Sequence, residues 1–134
     1  MSTLILKIYT RKMGKYNIPV IITDIMPKKF GGFSLGVLVF IRPMWEDNEG
    51  LIQHELTHVK QNLRTFMYSG LKQNWDKQHR LDRECEAYAV QLTYSKSKAN
   101  HKKTYINFMY NKYNLGMTKK QIEANYNKWI KKIA

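Results

Sequence analysis

His54-Glu55-Leu56-Thr57-His58 constrains the folding of this 134-residue chain more than any other segment. An α-helix turns once per ~3.6 residues, so imidazoles four positions apart share a face and reach one metal ion. Glu55 is rotated off that pair but stays beside the ion's remaining coordination position, where a carboxylate takes a proton from bound water. The two histidines act together only if the segment is helical. Leu51, Ile52, Leu56, Val59 and Leu63 recur at helical spacing around it, and Asp47 or Asn48 offers an N-cap. A helix is therefore expected over about 47–68. So short a string also arises by chance, and helical His pairs are often ordinary hydrogen-bonded residues, so the context must decide.

With 43% hydrophobic and 13% aromatic residues, the chain is one domain by length and rich enough to bury a core, which excludes disorder throughout. No stretch approaches the ~20 apolar residues of a membrane span. Ile18–Met26 contains Pro19 and Asp24, and Gly36–Ile41 has only a strand's length. The first residues lack a small-residue cleavage site. A cytoplasmic protein is expected, or a virion-associated one if the chain is phage-encoded, as its Lys-, Asn-, Ile- and Tyr-rich composition allows. The single Cys85 excludes an internal disulfide and reads as a small buried hydrophobe.

The net charge of +13 is concentrated at the ends. Residues 1–15 carry four cations and no acid, residues 16–95 carry nine of each sign, and residues 96–134 carry ten lysines against Glu123. The balanced middle holds the HExxH segment. The basic ends imply an anionic partner (cell-wall polymer, nucleic acid or lipid surface) or a merely solvated face.

The expected fold class is α+β in a single domain over 1–134. A small sheet of about three strands occupies about 3–43: Leu4–Tyr9, with Arg11–Lys15 as its turn, then Ile18–Ile25, then the glycine-opened run Gly31–Ile41 closed by Pro43. After the HExxH helix, Leu71–His79 reads as a loop or short irregular helix. A second helix is expected over about 81–95, with Leu81, Cys85, Tyr88, Ala89 and Leu92 inward. Ser95–Asn100 reads as a polar linker, and a basic helical part covers about 101–133. Thr118 and Gln121 form a capping-box pattern at the start of its last helix.

A catalytic zinc generally takes three protein ligands, so the pair needs an acid or another imidazole from a neighbouring helix. His79, His101, Glu84 and Glu86 are available. Arg83-Glu84-Cys85-Glu86-Ala87-Tyr88-Ala89 is the convincing place, because small residues beside the carboxylates permit close helix packing. His54-Glu55-Leu56-Thr57-His58-Val59-Lys60-Gln61 looks like the HELxHVxQ form of gluzincin metallopeptidases, and Glu84-x-Glu86-Ala87-Tyr88-Ala89 is similar to their second-helix motif. The resemblance is local, over about residues 36–94, and is to the form common in small and phage-encoded members. It implies Zn²⁺ held by His54, His58 and Glu84, with Glu86 as the alternative third ligand, Glu55 as general base, and an edge strand at Gly36–Ile41 beside the cleft. Tyr88 stands where many relatives place an acid that orients a zinc-bound histidine, so that partner is missing.

The expected activity is zinc-dependent hydrolysis of peptide bonds in a protein or peptide substrate, with the Val37–Ile41 backbone pairing with an extended peptide. His79, Tyr88, Tyr94 and Tyr105 are open as donors to the developing oxyanion. The competing reading is a non-enzymatic nucleic-acid-binding or virion-assembly protein with a structural zinc. It rests on lysines interleaved with aromatics in the C-terminal part.

Overall fold

In the computed structural model, which describes residues 7–134, β1 (Lys7–Met13) and β2 (Tyr16–Ile22) form an antiparallel hairpin with Lys7 opposite Ile22 and Met13 opposite Tyr16. β1 thus runs through the residues read as its turn; the turn is confined to Gly14-Lys15, where Gly14 takes a φ of +61°. Period-two alternation accounts for the extension, since Tyr9, Arg11 and Met13 are half-buried while Thr10 and Lys12 are exposed. Arg11 is tolerated there because its guanidinium pairs with Glu49, at 3.0 and 2.6 Å. Leu4–Leu6 lie outside the described residues.

The apolar run Gly31–Ile41 is not one strand but two. β3 (Gly32–Leu35) and β4 (Leu38–Ile41) pair antiparallel across Gly36-Val37, with Gly36 at φ +59°. The sheet order is β1-β2-β4-β3, with β4 parallel to β2. β4 therefore lies inside the sheet, and the expected edge strand at Gly36–Ile41 is corrected to β3. Between β2 and β3 the chain loops around Arg42, whose guanidinium donates to the carbonyls of Phe30, Asp24 and Pro27.

α1 (Glu49–Arg64) is capped by Asn48, whose side chain accepts from the Leu51 amide. A short α2 (Tyr68–Lys72) precedes α3 (Lys77–Leu92), which starts earlier than expected because Asp76 caps it. α4 (Lys98–Lys112) takes up the end of the anticipated linker, and α5 (Lys119–Ile133) opens on the Thr118–Gln121 capping box. Four strands followed by five α-helices make the α+β class expected. Among the described residues, no helix is long and apolar enough to cross a membrane.

Two apolar cores result. Ile18, Val20, Ile22, Val39 and Ile41 of the sheet pack on Ile52, Leu56 and Val59 of α1. Leu81, Cys85, Ala89 and Leu92 of α3 pack on Tyr105, Ile106 and Met109 of α4 and on Ile122 and Tyr126 of α5. Each fully buried aliphatic side chain contributes roughly 1.5–3 kcal/mol. The opposite face of α1 meets α3, and there His54, His58, Gln61 and Asn62 lie buried beside Arg83, Glu84 and Glu86. A buried polar layer between two apolar cores is costly unless its members satisfy one another.

Candidate metal centre

His54 and His58 project from adjacent turns of α1 toward α3, and both Nε2 atoms face one oxygen of Glu84, Oε1, at 3.4 and 3.2 Å. These three residues form the group of ligand-type side chains whose donor atoms lie within 4.8 Å of one another. Ligand atoms bound tetrahedrally to zinc at ~2.0–2.2 Å stand roughly 3.3–3.5 Å apart, which is the spacing seen between the imidazoles and Glu84.

Gln61 fixes how His58 presents its ring. Its Nε2 donates to the Arg83 carbonyl and to Glu86 Oε1, each at 2.9 Å, so its Oε1 is the atom 2.9 Å from His58 Nδ1. An acceptor at that position requires Nδ1 to carry the proton. In the neutral ring Nε2 then points a lone pair at the Glu84 carboxylate. Two acceptors facing at 3.2 Å call for a cation between them or a proton on Nε2. The donor set and this opposition fit zinc.

Glu86 is not in the group. Its carboxylate accepts from Gln61 and from both terminal nitrogens of Arg64, at 2.9 and 3.2 Å, one helix face away from Glu84. It steadies Gln61 and, through it, His58. Of the two acids considered as third ligand, Glu84 is therefore the one grouped with the histidines. Gln61→Ala should weaken zinc binding roughly 10–100-fold while leaving one ion per chain, as measured by competition with a chelating dye; unchanged affinity would show that Gln61 does not orient His58.

No side chain does the same for His54. Its Nδ1 is buried and has no hydrogen-bond partner among the described residues. Tyr88 packs edge-to-face with the His54 ring, centroids 4.3 Å apart.

Glu55 lies beside the trio, with Oε2 4.0 Å from His54 Nε2. Burial, reinforced by the Glu84 charge, raises its carboxyl to about 7 against the pull of His54. Ser34 of β3 lines the cleft wall beside this carboxylate. β3 comes this close because residue 32 is glycine: a Cβ there would lie 3.2 Å from Glu55 Cγ and Oε2 and 3.0 Å from Ile41 Cδ1. Glu84 moves the other way: burial opposes its ionisation, but the facing imidazoles of His58 and His54 prevail and hold it well below the usual carboxylate range.

The site opens into a cleft of about 250 Å³ lined by Gly32, Phe33 and Ser34 of β3, by His54, Glu55, His58 and Glu84, and by Tyr113. A second, more apolar lobe of about 520 Å³ continues past His54 and Glu55, walled by Trp45, Leu51, Tyr94, Tyr105 and Phe108. Of the four residues considered as oxyanion donors, His79 is bound to Ser69 Oγ at 2.9 Å, while Tyr94 and Tyr105 line the apolar lobe. The Tyr88 hydroxyl is engaged with that of Tyr113 at 3.0 Å. Tyr113, which no sequence pattern marks, lines both lobes beside His54 and Glu55. His101 stands at the far lobe, bonded to Ser95. Cys85 belongs to the helical core, near Met109 Sδ at 3.7 Å, and burial pushes its thiol up to about 12. No family model, curated protein or solved structure matches the chain.

Proposed function

We propose that the protein is a zinc-dependent peptidase in which His54, His58 and Glu84 hold the metal and Glu55 is the general base. The observation that carries the reading is the convergence of two imidazole Nε2 atoms, one with its tautomer set by Gln61, on a single carboxylate oxygen inside an open cleft. When bound, zinc supplies Lewis acidity, polarising a carbonyl and acidifying water.

The remaining work falls to side chains of this chain. Glu55 accepts a proton from water and passes it to the leaving amine, a task suited to a carboxyl near neutrality. Gly32 leaves that carboxylate room against the cleft wall. The free edge of β3 pairs with an extended peptide. The Tyr88 and Tyr113 hydroxyls share one hydrogen bond, and Tyr113, which lines both lobes, is the member of that pair we assign to stabilise charge developing on the carbonyl oxygen, with Tyr88 accepting or donating behind it.

A structural zinc gains less support, since such sites are closed by a fourth protein ligand and this one faces a cleft. The nucleic-acid reading keeps little aromatic surface: Tyr105 and Tyr126 are buried in the helical core, Phe108, Tyr113 and Trp129 pack against it, and Tyr110 stays exposed. Digestion of an unbiased peptide library by the zinc-loaded protein, read by mass spectrometry, should give cleavage that a chelator stops and added zinc restores. Failure to take up stoichiometric zinc, or cleavage indifferent to chelation, would overturn the proposal.

A further inference from the structure

The two lobes of the cleft meet where Lys29 and Phe30, from the loop before β3, face Lys112 and Tyr113 at the end of α4. Lys29 Nζ donates to the Lys112 carbonyl at 2.8 Å, and the Phe30 and Tyr113 rings lie 5.7 Å apart. That bond explains Lys29, a cation at the negative end of a helix. It does not explain the Lys112 side chain. Its ammonium sits 4.1 Å from the centre of the Phe108 ring, with no hydrogen-bond acceptor and no acid partner among the described residues. Among the described residues, the acids lining the two lobes are Glu55 and Glu84, both part of the proposed metal centre. Arg80 and Arg42, which also line the cleft, are occupied by backbone carbonyls. Lys112, half-buried, and Lys29, exposed, thus share the cleft with the metal centre, with no acid among the described residues to neutralise the Lys112 ammonium. Burial, and then the charge of Lys29, lowers the Lys112 ammonium from its usual range, the cost expected when a counter-ion is missing.

We propose that Lys112, with Lys29, is a subsite for a carboxylate of the substrate, so that the preferred substrate is a peptide with an acidic side chain or a free C-terminal carboxylate close to the cleaved bond. The apolar lobe next to the pair takes a large neighbouring side chain. This inference rests on the peptidase reading, but its test does not require turnover. Labelled peptides that differ only in Glu against Gln at successive positions, and in a free against an amidated C-terminus, are titrated against zinc-loaded Glu55→Gln protein by fluorescence anisotropy. One charge-assisted hydrogen bond is worth about a 10-fold preference for the charged member of a pair. That preference should fall to near unity in Lys112→Gln, persist in Lys112→Arg and weaken with salt. A preference that follows the internal Glu identifies a side-chain carboxylate, and one that follows the free terminus identifies the chain end. Equal binding within every pair, no binding at all, or a preference intact in the Lys29→Gln/Lys112→Gln double variant would overturn the subsite. If charged peptides bind preferentially but wild-type protein cleaves none of them, the peptidase reading fails and the subsite stands.

Discussion

Glu84→Ala is expected to lose stoichiometric zinc, whereas Glu86→Ala is expected to keep it. Both residues are buried acids on α3, two positions apart, so a loss caused merely by disturbing that helix would strike both variants. The geometry separates them. Glu84 Oε1 faces both imidazoles, and no other carboxylate among the described residues joins that group. Removing it leaves two ligands, so the loss of affinity should exceed the roughly 10–100-fold typical of an outer-shell partner. Glu86→Ala removes only such a partner, since it acts through Gln61 and Arg64. Metal analysis after gel filtration, together with chelator competition, reads both variants, and circular dichroism confirms that α3 remains folded. Zinc retained in Glu84→Ala at wild-type affinity would remove Glu84 from the ligand set.

Glu55→Gln should reduce peptide cleavage by about 10²–10⁴-fold, the usual contribution of a general base, with zinc content unchanged. Glutamine keeps the size and an accepting oxygen but cannot take up the proton from water. Zinc should remain because Glu55 lies 4.0 Å from His54 Nε2, outside the ligand trio. The fall should appear in kcat, since the lost interaction forms as the proton moves. A Glu55→Gln protein that cleaves at the wild-type rate would end the general-base assignment even if zinc binds as expected.

The parts of this molecule that were legible in the sequence are those fixed by neighbours in the chain. α1 and α5 announce themselves through apolar periodicity and through caps at Asn48 and Thr118, and the structure makes both caps. That an acid of α3 approaches His54 and His58 was readable from helix geometry, which left Glu84 and Glu86 both open; the resemblance to a second-helix motif favoured Glu84, and Glu84 is the one grouped with the histidines. The hairpin β3–β4 was not, because Gly31–Ile41 is apolar almost throughout and only Gly36 marks the reversal. The sheet order depends on the parallel pairing of β2 with β4, a contact between distant segments that no local pattern encodes. Gln61 carried a usable signal, three residues after His58 on the same helix face. Tyr113 and Lys112 carried none; they sit in a basic stretch that resembles a solvated surface, and only the return of α4 over the cleft brings them to the site.

β3 has a further consequence for what the cleft can hold. It is four residues long, and successive residues of an edge strand turn their amide and carbonyl alternately toward and away from the neighbouring strand. Only two of its residues therefore offer main-chain groups outward, over roughly 13 Å of strand. A ruler that short reads a few residues of bound chain. Selectivity must come from the side-chain pockets at either end of it, and partners much longer than this would be gripped at one point and left free elsewhere.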